Sequence, residues 1–330
     1  MSLHRQAPAP QPPVPHPPAP RPPARRAAWP FVLSGALAFL LVAGAAAFFL
    51  VRRDAPAPMT DQLADGVSAG GTMTGDARKL ADALTAGGLE CSVRFTSADG
   101  GHAGCFAATS STTIATVYQY GPDGTVHALT IDVRGKSETA PTILALTAMV
   151  GKVAFPADVA DLVSTMRRSY GGATEGKWGK YEIVARGPKT VVNAEKFGNK
   201  QLKVPVLHLD TTEPALAKSF AADGYTCTSD NETCQRKPGF ALKFSGPNDG
   251  GVTYLVATAA PDTAFEQLRA AVFGRLQGAA VAPMQDWIGQ HLDGRSHAAY
   301  VAGWRVSLEV SPGKQTRLTL FNDEFFLQMT

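Results

Sequence analysis

No carboxylate occurs in the first 53 residues; Asp54 is the first, after six arginines at positions 5, 21, 25, 26, 52 and 53. The formal net charge of +3 over 330 residues is therefore misleading, because 31 basic residues less those six leave 25 against 28 acidic ones. The part of the chain able to fold is mildly acidic. It lacks the basic stripe that a nucleic-acid-binding module needs, which excludes nucleic acid as a partner. Also missing are a P-loop, a dinucleotide fingerprint and an HExxH pair. The motif-visible routes to nucleotide chemistry and helix-borne zinc hydrolysis go with them.

Charge is absent altogether from residues 27–51, AAWPFVLSGALAFLLVAGAAAFFLV. About 20 apolar residues span a bilayer, and this run is longer. Trp29 sits at one end, and Arg25, Arg26, Arg52 and Arg53 bracket the run, as interfacial anchors do. A cleaved signal peptide would end a shorter apolar region at a small-residue site. Here Phe48, Phe49, Leu50 and Val51 continue past Ala43, Ala45 and Ala47, so the segment reads as an uncleaved transmembrane helix. Before it, residues 7–23 read APAPQPPVPHPPAPRPP. Proline removes the backbone donor and fixes φ, so this stretch predicts a disordered, semi-extended tail.

Cysteine is scarce. Cys91 and Cys105 form one neighbouring pair, Cys227 and Cys234 another. Neither spacing is that of a thiolate zinc knuckle, and two local disulfides are the better reading. Disulfides need an oxidising compartment. That puts the tail in the cytoplasm and everything after the span outside the cell membrane.

What the chain does have is a repetition. Residues 80–91 read LADALTAGGLEC and residues 216–227 read LAKSFAADGYTC. Leu80, Ala81, Ala86, Gly88 and Cys91 recur as Leu216, Ala217, Ala222, Gly224 and Cys227, each 136 positions later. Each copy opens with an amphipathic helix, the first capped by Asp76 and ended by Gly87-Gly88, the second started by Pro214 and closed by Gly224. Alternating segments follow at 90–96, 104–109, 113–120 and 125–133, the last two around the turn GPDG. The second copy answers with 240–245 and 252–258 around GPNDGG. Two helices come next in each, on Ile143, Leu146, Val150, Val153 and then Val159, Leu162, Met166, and on Phe265, Leu268, Val272, Leu276 and then Met284, Trp287, Ile288, His291. Both close on a hairpin, 178–197 and 304–323, with Trp178 and Trp304 at matching points.

The expected fold class is thus α+β: two tandem copies of a helix plus antiparallel-sheet domain, following one transmembrane helix and a Pro-rich tail. The boundaries are 1–26 tail, 27–51 span, 52–73 linker, 74–199 first repeat and 200–330 second repeat, with 201–210 as an extended connection or extra strand.

Candidate chemistry is thin. Gly66-Val67-Ser68-Ala69-Gly70 matches the G-x-S-x-G nucleophile elbow, but lacks the flanking strand and helix that strain the turn. His291, Asp293 and His297 cluster in HLDGRSH and have the donor types of a zinc site; a partly buried histidine beside a loop is the simpler reading. His208 and Asp210 alternate onto one side of an extended segment, and His102 beside Asp99 reads as a turn residue. Trp178, Tyr181 and Trp304 offer either an aromatic platform or half-buried core, the latter expected. Asn231-Glu232-Thr233 has the form of a glycosylation sequon. No cofactor and no metal are expected. The functional expectation is a non-enzymatic, single-pass membrane protein whose ectodomain binds an envelope protein or a wall polymer. An extracytoplasmic hydrolase or a ligand sensor is the alternative.

Overall fold

A computed structural model of the chain describes residues 67–322, apart from 110–111, 136–138, 170, 231, 237–238, 247–249, 261–264 and 311–314. The Pro-rich tail, the apolar segment 27–51 and Asn231 lie outside the described residues. Among the described residues no helix is long and apolar enough to cross a membrane.

The protein is α+β, with two antiparallel sheets and, among the described residues, six helices. Helix α1 (Gly75–Ala86) buries Ala77, Leu80, Ala81 and Leu84, one stripe at helical spacing. Its N-cap is Thr74, not Asp76; the carboxylate falls inside the first turn, where it still faces the positive helix end. Strands β1 (Ser68–Ala69), β2 (Glu90–Ser97), β3 (Gly100–Ala108), β4 (Thr112–Tyr120) and β5 (Val126–Gly135) then pair in sequence order. Helices α2 (Ala140–Ala154) and α3 (Val159–Arg168) follow, and β6 (Gly171–Glu175), β7 (Gly179–Arg186) and β8 (Lys189–Lys196) complete the first sheet. Its order is β1-β2-β3-β4-β5-β8-β7-β6. Leu80 and Leu84 of α1, Ile143 and Val150 of α2 and Leu162 and Met166 of α3 share one core with Tyr118, Leu129, Ile131 and Val192, so the helices cover a single face of this sheet.

The second half repeats the path. Helix α4 (Glu213–Ala222) has Pro214 in its first turn, where the missing N–H costs nothing. Next come β9 (Thr226–Cys227), β10 (Thr233–Arg236), β11 (Phe240–Ser245), β12 (Tyr254–Ala259), α5 (Phe265–Phe273), α6 (Val281–Gln290), β13 (His297–Val301), β14 (Trp304–Glu309) and β15 (Thr316–Phe321). Read from its β9 edge, the second sheet runs β9-β10-β11-β12-β15-β14-β13. Apart from β1 this is the order of the first sheet, strand for strand.

The bridges fall at the same place in both. Cys91 pairs with Cys105 directly across β2 and β3, and Cys227 with Cys234 directly across β9 and β10. In each case the Cα atoms are 4.0 Å apart. The Sγ of Cys91 lies 3.4 Å from the carbonyl of Ala81, and that of Cys227 lies 3.4 Å from the carbonyl of Ala217, the corresponding residue. Among the described residues no cysteine is free.

The structure decides several local expectations. Of the two alternatives for residues 201–210 it has the connection and not an extra strand, and that connection is anchored: Leu207 and Leu209 are buried in the second core, while His208 and Asp210 are exposed. Ser68 and Ala69 pair with Thr96 and Phe95, so part of the expected linker is a sheet edge. The aromatic residues are core, as expected: Trp304 is fully buried, and Trp178 is half-buried against Phe155 and Tyr181.

Asp158 shows how the first core is closed. It is 5% exposed and accepts hydrogen bonds from the N–H groups of Lys177 and Trp178 and from the Tyr181 hydroxyl, at 2.9, 2.7 and 2.8 Å. It thereby ties the β6–β7 turn to the start of α3. Burial pushes its carboxyl upward, but these three donors outweigh it and hold the pKa below the ordinary value. A lowered carboxylate stabilises above its unfolded pKa and loses that contribution as pH falls through the folded one. Asp158→Ala is expected to cost about 2–3 kcal/mol at neutral pH, with most of the deficit gone in acid; urea unfolding at two pH values measures it.

Candidate functional site

The two sheets meet face to edge. Residues of the first sheet that point away from its helices, Phe106, Ala115 and Val117, pack against Ala298 and Tyr300 of β13. An antiparallel sheet has a second face to cover or to wet, and here the edge strand of the other sheet covers part of it. Tyr300 packs edge-on to Phe106 at 5.3 Å, and the Arg305 guanidinium lies 4.6 Å over the Phe106 ring. Gly104 stands where a Cβ would meet Phe106 and Tyr300 at 2.5 and 2.7 Å, so the docking requires glycine there.

Polar groups surround this patch, and each is paired across the junction. Arg94 of β2 is 1% exposed. Its Nε donates to the Gly303 carbonyl at 3.1 Å, and its Nη2 to Asn322 Oδ1 at 2.7 Å and to the Pro205 carbonyl at 3.4 Å. Gly303 is placed by a two-residue turn in which Ala302 and Gly303 both have positive φ, 51° and 81°, as a type I′ hairpin demands. The Tyr300 N–H donates to Ser92 Oγ at 2.7 Å. Gln119 exchanges two bonds with the backbone of Leu202, at 2.9 and 3.0 Å.

His102 belongs to this junction. It is not a turn residue: the β2–β3 turn comes earlier, where Gly100 at φ 132° would otherwise drive a Cβ to 1.9 Å from the Tyr120 carbonyl. His102 is fully buried, with Nε2 3.3 Å from the Tyr300 hydroxyl. Burial first, and the Arg94 charge second, push its pKa well below 6.5. Below pH 6.5 the unfolded chain takes up a proton that the folded one refuses, so this residue lowers stability as pH falls through that value. His102→Gln, which cannot titrate, is expected to flatten that acid limb in thermal melts from pH 7 to pH 5.

At the rim lies the cluster that the sequence partly displays. Helix α6 ends at Gln290, and His291, partly buried as expected, is its C-cap. It stacks on Trp287 at 4.3 Å, and its Nδ1 lies 2.6 Å from the Trp287 carbonyl. Asp293 closes the following turn by accepting from the Arg295 N–H at 3.0 Å. His297 opens β13 with its Nε2 2.9 Å from Asp293 Oδ1 and its Nδ1 2.6 Å from Glu90 Oε1. Glu90 comes from the first sheet, and no feature of its local sequence marks it. The hydrogen bond to Glu90 raises the His297 pKa above 6.5; burial opposes this and Asp293 adds to it. One nitrogen or carboxylate oxygen from each of Glu90, His291 and His297 lies within 4.8 Å of the others.

The other sequence candidates stay apart. Ser68 is exposed in an antiparallel edge strand, and among the described residues no helix follows it directly, as one does after a nucleophile elbow. Elsewhere a groove of about 550 Å3 is lined by Asp99, His127, Lys196, Phe197, Lys200 and Lys203. Phe197 is 47% exposed in it. Burial and then Lys196 hold the His127 pKa below its ordinary value, with Asp123 opposing them. No family model matches this chain, and neither a curated protein nor a solved structure does.

Proposed function

We propose that the protein is a single-pass, membrane-anchored binding or scaffold protein of the cell envelope, not an enzyme, with its N-terminus in the cytoplasm. On this reading residues 27–51 hold it in the bilayer. Residues 74–199 and 200–330 are then two copies of one α+β domain, held outside. The observation that carries the proposal is the repetition: one strand order twice, with a disulfide at the same register of the same hairpin in each. Such bridges suit an oxidising compartment, and the buried contacts between the sheets support a reading in which both halves act together in binding.

The lysine-lined groove beside exposed Phe197 supplies the kind of surface such a role needs. Cations and an aromatic face suit an anionic wall polymer or an acidic protein segment. Crosslinking the anchored chain from the outer side of intact cells tests this. A partner or polymer recovered in near-equal amount, and lost when Lys196, Lys200 and Lys203 become glutamate, supports the reading. Protease added outside that leaves residues 74–330 intact while cutting the Pro-rich tail would overturn the topology, and with it the proposal.

A further inference from the structure

The geometry points to a divalent transition-metal site, zinc foremost, formed by Glu90, His291 and His297 at the rim of the junction. Three ligands of this kind, two imidazoles and a carboxylate, are those of zinc sites that keep a fourth position open. Imidazole selects zinc, copper or nickel over magnesium or calcium, which want oxygen.

Proximity alone would be weak grounds. The stronger observation is how the remaining ring nitrogens are held. A metal-bound histidine normally donates its other N–H to a carboxylate or a backbone carbonyl, which fixes the tautomer and aims the lone pair. Both histidines have that partner. His291 Nδ1 sits 2.6 Å from the Trp287 carbonyl, which leaves Nε2 as the ligand atom. His297 Nε2 sits 2.9 Å from Asp293, which leaves Nδ1 as the ligand atom, on the side where Glu90 lies. The two rings are edge-to-face with centroids 4.6 Å apart. Tetrahedral zinc sets ligand atoms about 3.3 Å from one another. The three donors lie within 4.8 Å of one another, so side-chain rotations must draw them in, and a bound ion takes the place of the proton now held between His297 Nδ1 and Glu90 Oε1, which is released to solvent. Glu90 stands on the first sheet, and the histidines flank the loop from α6 into β13 of the second, so a bound ion clasps the two. The first half has SYGGATE where the second has this cluster, so the site occurs once.

The test uses the untagged full chain, stripped with a chelator and titrated with Zn2+ by calorimetry at pH 7.5. One equivalent is expected, with a dissociation constant in the micromolar range or below. Co2+ should bind at the same place and give the visible bands of a four-coordinate ion; Mg2+ should not compete. Glu90→Gln and His291→Gln should each weaken binding at least tenfold. Asp293→Asn, which removes the carboxylate behind His297, should weaken it about 10–100-fold. His208→Gln, an exposed histidine elsewhere, should leave it unchanged. If His291→Gln melts early without metal, Glu90→Gln carries the test, because that side chain is 36% exposed. Absence of a stoichiometric equivalent overturns the site, and so does binding that survives Glu90→Gln and Asp293→Asn.

Discussion

Replacing Arg94 with methionine is expected to cost about 3–5 kcal/mol and to split one unfolding transition into two. The magnitude follows from what is left behind. A buried guanidinium is itself expensive, and exchanging a whole buried polar set for apolar groups can be neutral. Methionine exchanges only one side of the set. The Gly303 carbonyl and the Asn322 amide oxygen would remain, buried and without their cation, with the part-buried Pro205 carbonyl beside them. Hydrogen bonds to a charged group contribute about 1.5–3 kcal/mol each, and a buried acceptor left unmet adds its own desolvation. Each sheet has its own core, so neither should collapse when the junction loosens. Calorimetry would then resolve two transitions, and protease would cut within 201–210. Arg305→Met is the control, since that residue adds a cation over Phe106 at the edge of the patch and should cost under about 1 kcal/mol. A single unshifted transition in Arg94→Met would mean that the small apolar patch of Phe106, Val117 and Tyr300 holds the sheets by itself.

The elements with strong local signals were legible in the sequence. Helical stripes and Gly/Pro punctuation mark α1 to α4, and GPDG places the β4–β5 hairpin because Gly124 takes φ 82° and Asp123 accepts from the Thr125 N–H. Strands β1, β9 and β10 escaped because they are two to four residues long, and β6 and β13 because their burial pattern is set from outside their own sequence. GGATE in β6 is an edge with mostly exposed residues, so it has no apolar alternation. HAAYV in β13 shows no alternation for the opposite reason: Ala299 and Val301 face the second core while Ala298 and Tyr300 face the first sheet. The same dependence on docking hid the site. His291, Asp293 and His297 stand together in seven residues, but Glu90 lies 207 positions from His297. Arg94, in ECSVRFT, looks like any solvent-facing strand residue until a second sheet covers it.

Reducing both disulfides is expected to remove about 5 kcal/mol, near the lower end of what a folded domain has in total. Closing loops of 14 and 7 residues restricts the unfolded chain by about 2–3 kcal/mol each. The two bridges should nevertheless fail differently. Cys91 and Cys105 lie inside a ladder of eight- and nine-residue strands whose outer face is packed by β13. Without that bridge the hairpin keeps its pairing, and Cys91→Ala/Cys105→Ala should lower the denaturant midpoint with little local change. Cys227 and Cys234 hold β9, a two-residue strand at a sheet edge with only two residue pairs to β10. So short a strand has almost no ladder of its own. Cys227→Ala/Cys234→Ala should therefore free β9, seen as fast amide exchange at Thr226 to Thr228, before the rest of the second sheet opens. Equal, purely global losses would mean that the edge is held by α4 packing and not by the bridge. A chain that keeps its full midpoint in reductant would deprive the bridges of a stabilising role, and would remove the main support for placing these residues in an oxidising compartment.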